Sequence, residues 1–403
     1  MKIVSYNINN LKTDSKSENR NFHKKRCQKI SKILKKSSGD VIVLQECLSK
    51  ETAEDIADML GYVYCTSETL YSHLNKDEKF RNKHFRTFKS EFAILWNPQV
   101  LQLKQAPFLY EQIYEKTERY IDSFISGFVA VITAAASFRA AGNILKQLNE
   151  NSLEAEKKRK KLFAGTGAVA LGITAGAGGY VYSPSEKHLH HTSLIRSHVE
   201  SFLQQSLRPP LVVIFEKVNS SDAKDLRLID IHIKFTKSKN ESDEEKKLCI
   251  EEIRKMEARF LLGRIFSIVN SQRDGKDCTP ITIVAGDYNM SQKELGQEND
   301  SGRDNEFMPD NTFVPSLKDA ENEVVITVQA ERSTRSIANK KDVEQGAKPE
   351  IVESSNYDHF SYIKNIFGKE NPEATVLPCE DDDILLENKL ISDHVPITME
   401  FEF

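Results

Sequence analysis

The stretch Ile281-Thr282-Ile283-Val284-Ala285-Gly286-Asp287-Tyr288-Asn289 decides how this chain is read. Five residues suited to a strand buried on both faces run directly into a polar end that carries a carboxylate and a carboxamide. The same grammar recurs upstream. Asp40-Val41-Ile42-Val43-Leu44-Gln45-Glu46 is an apolar run closed by an acid, and Met1-Lys2-Ile3-Val4-Ser5-Tyr6-Asn7-Ile8 is a short strand closed by an amide. Further strands read at residues 211–215, 226–235, 357–363 and 395–403, and at Phe92-Ala93-Ile94-Leu95-Trp96, where Asn97-Pro98 makes the turn. Between them, Phe22, Ile30, Ile33 and Leu34 share one helical face up to Ser37-Ser38-Gly39. Ser49 is placed to cap a helix that runs to Leu60 before Gly61, and residues 241–270 form a long amphipathic pattern. Many strands with few helices between them predict an α/β (α+β) fold: two packed β-sheets with helices outside, not a doubly wound parallel sheet. No internal repeat is visible.

One segment breaks this texture. Residues 123–138 and 162–185 carry no charge, and Lys157-Lys158-Arg159-Lys160-Lys161 lies between them. Small residues recur every fourth position, at Ser126, Ala130 and Ala134 and again at Ala164, Ala168, Gly172 and Gly176. Such stripes allow close helix approach. The expectation is therefore a catalytic domain split into residues 1–115 and 187–403 around an inserted apolar helical hairpin, 116–186. Residues 120–182 are expected to associate with a membrane; a non-crossing hairpin held by its basic cluster against anionic headgroups, or a soluble packing arm, are the other readings.

Composition sets outer bounds. The 403 residues give a formal net charge of −4, so no global basic field marks a nucleic-acid binder, although a local groove is not excluded. The six cysteines are scattered without a CxxC pair, which argues against a zinc knuckle or a disulfide framework and for a reducing compartment. No charged and then apolar leader precedes the first strand, so a signal peptide is not expected and the chain is read as cytosol-facing.

Singly, the polar strand ends are weak signals, because buried, satisfied polar residues are common. Together they are specific: Asn7, Glu46, His232, Asp287 with Asn289, Asp358, and Asp393 with His394 all close strands that can share one sheet edge. Carboxylates and carboxamides form a hard-oxygen set suited to Mg²⁺ or Mn²⁺. Two imidazoles beside them suit acid–base work near neutral pH. With no nucleophilic Ser or Cys elbow, this set points to metal-assisted attack of water on phosphorus.

These pieces resemble the endonuclease/exonuclease/phosphatase superfamily. The matching segments are Ser5-Tyr6-Asn7-Ile8, Leu44-Gln45-Glu46, Ile229-Asp230-Ile231-His232, Gly286-Asp287-Tyr288-Asn289, Tyr357-Asp358 and Ser392-Asp393-His394-Val395-Pro396, in the superfamily's order. The resemblance implies a four-layered sandwich. It implies Glu46 as main metal ligand with Asn7 beside it, and Asp393 as a second ligand. It also implies Asp287 to orient or deprotonate water, Asn289 to hold a phosphate oxygen, His394 paired with Asp358, and His232 as transition-state stabiliser or general acid. Within the superfamily the DNase I branch is nearest. Leu207-Arg208-Pro209-Pro210 resembles its entry to a central strand, with Arg208 facing a phosphate.

Two positions depart from the pattern. Aligning Phe92 with the family aromatic puts Ser90 at the position of the acid that partners His232, and strand alternation would turn Glu91 to the opposite face unless a bulge restores it. Leu48 stands where DNase I has a basic residue. Three functional readings follow: a phosphodiesterase acting on nucleic acid, a membrane-lipid phosphodiesterase or phosphoinositide phosphatase, and a non-catalytic module that keeps the fold. Other clusters read as bland. His188, His190 and His191 lack partners at ligand spacing, Cys47 reads as a buried thiol, and residues 380–383 as a solvated acidic loop.

Overall fold

The computed structural model describes residues 1–11, 17–74, 91–110, 209–220, 224–233, 258, 261–263, 265–266, 280–290, 324–327, 331–344, 347–363, 366–367 and 371–403. The expected hairpin at 116–186, the histidines at 188–191, Arg208 and most of 241–270 lie outside these residues. In chain order the elements are β1 (Lys2–Leu11), α1 (Ser17–Ser37), β2 (Val41–Cys47), α2 (Lys50–Leu60), β3 (Val63–Thr66), α3 (Ser67–Leu74), β4 (Phe92–Trp96), β5 (Leu101–Leu103), β6 (Phe108–Leu109), β7 (Leu211–Lys217), β8 (Leu226–His232), β9 (Ile281–Asp287), β10 (Val324–Ile326), β11 (Arg335–Ile337), β12 (Ile351–Glu353), β13 (Asp358–Ile363), β14 (Ala374–Val376), β15 (Leu385–Leu386), β16 (Lys389–Leu390) and β17 (Ile397–Glu400), with single turns at Lys340–Glu344 and Asp381–Ile384.

Two sheets carry the fold. One has the order β14-β17-β1-β2-β4-β3, the other β10-β13-β9-β8-β7-β5, with β6 on β7. Each is centred on a parallel pair, β1/β2 and β8/β9, flanked on both sides by antiparallel neighbours. The two sheets thus repeat one topology although the sequence shows no repeat. Side-chain alternation gives each strand an inner and an outer face. On β8, Leu226 and Leu228 join the main core with Ile281, Ile283 and Ala285 of β9, while Ile229 and Ile231 join a second cluster behind the sheet. That second cluster contains Ala258, Leu261, Leu262, Ile265 and Phe266, and these residues are helical. α1 and α2 cover the other sheet, with Ile30, Ile33, Leu34, Ala53, Ile56 and Ala57 buried. The molecule is therefore an α/β sandwich of two packed sheets with helices outside.

α2 begins and ends where its sequence places it. Ser49 is its N-cap and accepts from Thr52 N, and Gly61 closes it at φ +74°. The strands are shorter than their hydrophobic runs: residues 226–235 give a strand ending at His232, and 395–403 one that begins at Ile397. The small elements β3, β5, β6, β10–β12 and β14–β16 have too few residues for periodicity to reveal them. Among the described residues no helix is long and apolar enough to cross a membrane.

Candidate metal and phosphate centre

Because both central pairs are parallel, four strand ends of one polarity meet at one edge. β1 delivers Asn7, β2 Glu46, β8 His232 and β9 Asp287, with His232 and Asp287 directly in register. On the inner face of β8 the side chains run Leu226, Leu228, Asp230, His232, and on β9 Ile281, Ile283, Ala285, Asp287. Both rows turn from apolar to ionisable at the same end. Asp358 opens β13 opposite Asp287, and His394 bridges Thr334 just before β17.

Glu46 reaches the site through its backbone. Gln45 faces inward, since its Nε2 donates to Asp230 Oδ1 across the sheets at 2.8 Å. Strict alternation would send Glu46 to the helix side. Its φ of +56° breaks the alternation, and the carboxylate turns back so that Oε1 accepts from Asn7 Nδ2 at 3.3 Å and lies 3.7 Å from His232 Nε2. A non-glycine residue in this conformation costs about 1–3 kcal/mol and marks sites where surrounding structure holds it.

Asp287 is the hub. Its Oδ2 accepts from Asn7 Nδ2 at 2.9 Å and from Asn289 Nδ2 at 3.2 Å, and its Oδ1 accepts from Asn289 N at 2.7 Å. Nε2 of His394 and of His232 lie 3.6 and 3.8 Å from Oδ2. Burial pushes the Asp287 carboxyl up to about 6, an effect that the His394 charge partly offsets and that Asp358 reinforces. His394 Nδ1 bonds Asp358 Oδ2 at 2.8 Å. Burial alone would lower the His394 imidazole, but the Asp358 and Asp287 carboxylates together outweigh it and raise it to about 10. This edge therefore sets an imidazolium beside a carboxylate whose affinity for a proton is raised.

His232 has its own acid. Glu91 is buried, and its Oε2 lies 3.6 Å from His232 Nδ1. Of the two placements left open by strict alternation and a local bulge, Glu91 takes the one facing His232. The strand starts only at Phe92, and the N–H groups of Glu91 and Phe92 both donate to Ser67 Oγ at 3.1 Å. Consecutive N–H groups point to opposite sides in an extended strand, so the chain is turned here, and alternation counted back from Phe92 does not apply. The serine that sets this turn is 24 residues upstream of Glu91 and has no sequence signature.

Other sequence-predicted residues are placed differently from their expected roles. Asn289 is in the left-handed region at φ +49°, and its Nδ2 donates to Ile233 O at 2.6 Å and to Asp287. As placed, it positions Asp287 instead of reaching towards a phosphate oxygen, because both amide hydrogens have partners within the protein. Asp393 is exposed and accepts from Asn9 Nδ2 at 2.9 Å, so its carboxylate does not join Asn7, Glu46 and Asp287 directly. Several supports carried no motif. Ser392 Oγ donates to Asn7 O and accepts from His394 N. Ser333 Oγ accepts from the N–H of Tyr357 and of Asp358. Arg26, on α1, donates Nη2 to Ile8 O and Asn9 O and Nε to Ile391 O, tying the β1 end to the loop that carries Asp393. The Ser of the Ser392-Asp393-His394 motif was the one available hint.

The donor set fits a hard divalent cation. Glu46 Oε2 is buried without a hydrogen-bond partner among the described residues, next to the carboxamide of Asn7 and the carboxylate of Asp287. Asp287, Asp358 and His394 also place ligand atoms within 4.8 Å of one another, but His394 Nδ1 and Asp358 Oδ2 already bond each other. Glu46 is therefore the better anchor; Asn7, expected to contact the metal, instead turns Nδ2 to Glu46 and Asp287 and Oδ1 to Asn9 N.

No family model and no curated protein matches this sequence. Solved structures are similar at low identity. An endonuclease/exonuclease/phosphatase family protein from Bacteroides thetaiotaomicron is 11% identical with a TM-score of 0.45, covering 99% of this chain and 96% of that one. A mannosyl-6-phosphatase from the same organism is 12% identical with a TM-score of 0.46, covering all of both chains. D. rerio TDP2 complexed with single strand DNA product is 11% identical with a TM-score of 0.42, covering 100% of this chain and 99% of that one.

Proposed function

We propose that this chain is a divalent-metal-dependent phosphoesterase, and that its substrate is a nucleic-acid phosphodiester. One observation carries the reading: two histidines, each paired with its own carboxylate, flank a buried aspartate at one sheet edge, beside a glutamate oxygen that has no hydrogen-bond partner among the described residues. Such an edge suits metal-assisted attack of water on phosphorus.

Glu46 would hold Mg²⁺ or Mn²⁺, which when bound would supply charge stabilisation at a phosphoryl oxygen. Asp287 orients the attacking water and takes its proton; its raised affinity for that proton follows from burial. Asn289 and Asn7 fix the Asp287 carboxylate from two sides. His394, kept charged by Asp358, directs Nε2 into the site and stabilises charge that builds on the phosphoryl group. His232, oriented through Nδ1 by Glu91, presents Nε2 to the same space and can protonate the departing oxygen. In the overall step the water oxygen bonds to phosphorus, the ester P–O bond breaks, and the leaving oxygen receives a proton.

The nucleic-acid substrate rests on the motif resemblance and on Arg208. The lipid reading rests on the uncharged stretches 123–138 and 162–185. The reading of a non-catalytic module rested on the missing acid near Ser90, and Glu91 supplies an acid there. One panel separates them: plasmid DNA, RNA, sphingomyelin and phosphoinositides, each with Mg²⁺ or Mn²⁺ and with chelator. We expect cleavage of nucleic acid that chelator stops, and a loss of about 10²- to 10⁴-fold in Asp287→Ala and in His394→Ala. Turnover of lipid without nicking of DNA would transfer the assignment to a lipid substrate. Full activity in both variants would remove these residues from the mechanism.

A further inference from the structure

Away from the sheet edge, α1 and α2 bring together a second set of ligand-type side chains that the proposed chemistry does not use. His23 and Cys27 are one turn apart on α1, and Asp55 faces them from α2. One ligand atom from each lies within 4.8 Å of the others. Cys27 Sγ is 3.9 Å from His23 Nδ1 and 3.7 Å from Nε2, and His23 Nδ1 is 4.0 Å from Asp55 Oδ2.

We propose that His23, Cys27 and Asp55 form a metal site for a borderline divalent cation of the zinc class, which staples α1 to α2. Three features of the geometry support it. First, the histidine is oriented in the way ligating histidines are. Its Nε2 bonds Thr52 Oγ1 at 3.0 Å, and Thr52 Oγ1 in turn bonds the α2 N-cap Ser49 Oγ at 2.8 Å. This leaves Nδ1 for the ion, and the Thr52 hydroxyl fixes the ring from behind. Second, the spacing is right. Zinc bonds of about 2.3 Å to sulfur and 2.0–2.1 Å to nitrogen give a tetrahedral S···N edge of roughly 3.5 Å, so the ring and thiol need to close by only a few tenths of an ångström. Third, charge and access agree. His23 and Cys27 are buried, whereas the Asp55 side chain is half exposed and leaves an entry path. A dication with one thiolate, one carboxylate and a neutral imidazole is neutral overall, which a buried site favours. Glu51, one turn before Asp55 on α2, also acts electrostatically on His23, and solvent can complete the coordination. Arg26, next to Cys27, acts electrostatically on His23 and Cys27, but its guanidinium donates to three backbone carbonyls elsewhere.

On binding, the Cys27 S–H bond breaks, its proton goes to solvent, and sulfur bonds the metal; nothing is oxidised or reduced. A thiolate ligand distinguishes this site from the sheet edge, whose donors are oxygen and nitrogen. The full chain, stripped with chelator, is titrated with Co²⁺ and followed by absorbance. We expect a near-ultraviolet sulfur-to-cobalt band that saturates at one equivalent, is displaced by Zn²⁺ and is absent from Cys27→Ser. No such band in the wild type, or a band that persists in Cys27→Ser, overturns the proposal. Because Cys27 is in the core, Asp55→Asn provides a surface variant that keeps the packing. A fall in Co²⁺ affinity of about tenfold or more supports the site, and unchanged affinity overturns it.

Discussion

Glu91 and Asp230 show how much one side chain's setting decides. Glu91 holds the Nδ1 side of His232 from a turned segment before β4. Glu91→Gln keeps the shape and removes the charge, so phosphoesterase kcat should fall about 10- to 100-fold with little change in KM, as for other partners that orient a reacting group. A kcat equal to wild type would return His232 to an unassisted role. Asp230 is fully buried between the sheets, with Oδ1 on Gln45 and Oδ2 without a hydrogen-bond partner among the described residues. Burial raises its carboxyl well above the ordinary range, with the Gln45 bond pulling it back only in part. The folded state therefore keeps the proton after the unfolded state has released it. The stabilisation is complete below about pH 4 and is lost as pH rises towards the folded value. Asp230→Asn does not titrate, so the melting temperature of the wild type relative to this variant should decline from pH 4 to 8. A pH-independent difference would contradict the assignment.

At the scale of elements, two glycines separate packing from backbone freedom. A Cβ on Gly286 would lie 1.8 Å from Ile231 O, within the β8/β9 parallel pair, whereas nothing lies within 4 Å of a Cβ on Gly61 at the end of α2. Gly286→Ala must push the two strands apart and should cost roughly 3 kcal/mol or more, lowering activity as His232 and Asp287 lose register. Gly61→Ala meets only the left-handed backbone penalty, about 1–2 kcal/mol. Denaturant unfolding of both variants reads the contrast directly; equal costs would mean that β8 and β9 tolerate separation. Arg26 joins a helix to the site in the same way. Arg26→Ala removes three charge-assisted bonds to carbonyls at the β1 end and at Ile391, and should cost about 2–3 kcal/mol. Arg26→Lys cannot restore the fork and should recover only part of that loss.

For the whole molecule, the two flanks of residues 111–208 meet at one place in the sandwich. β6 and β7 are antiparallel neighbours, with Phe108 opposite Val212 and Leu109 opposite Leu211, and Tyr110 N donates to Pro210 O at 2.9 Å. A paired stem already joins the two flanks, so a flexible linker placed between them adds little entropy cost: each doubling of its length changes closure by only about 0.6 kcal/mol. Replacing residues 116–186 with a short flexible linker should leave a cooperative unfolding transition within a few degrees of the parent and leave the metal-dependent activity in place. A deletion that cannot fold would show that the sandwich needs residues 116–186.

What the sequence determined by itself were the polar ends of buried strands. Asn7, Glu46, His232, Asp287, Asp358 and His394 were legible because each closes an apolar run and no core position would keep it there without a partner. The cap and stop of α2 were legible for the same kind of reason: Ser49 and Gly61 act on backbone groups within a few residues. The tertiary structure decided everything that depends on two distant segments at once. Glu91 faces His232 because Ser67 collects two successive N–H groups; Glu46 faces the site because its backbone is left-handed while Gln45 is pinned to the other sheet. Asn289 steadies Asp287 because Ile233 O takes its second hydrogen. Alternation and periodicity are one-strand rules, and a hydrogen bond to a residue far along the chain overrides them without leaving a local pattern to read.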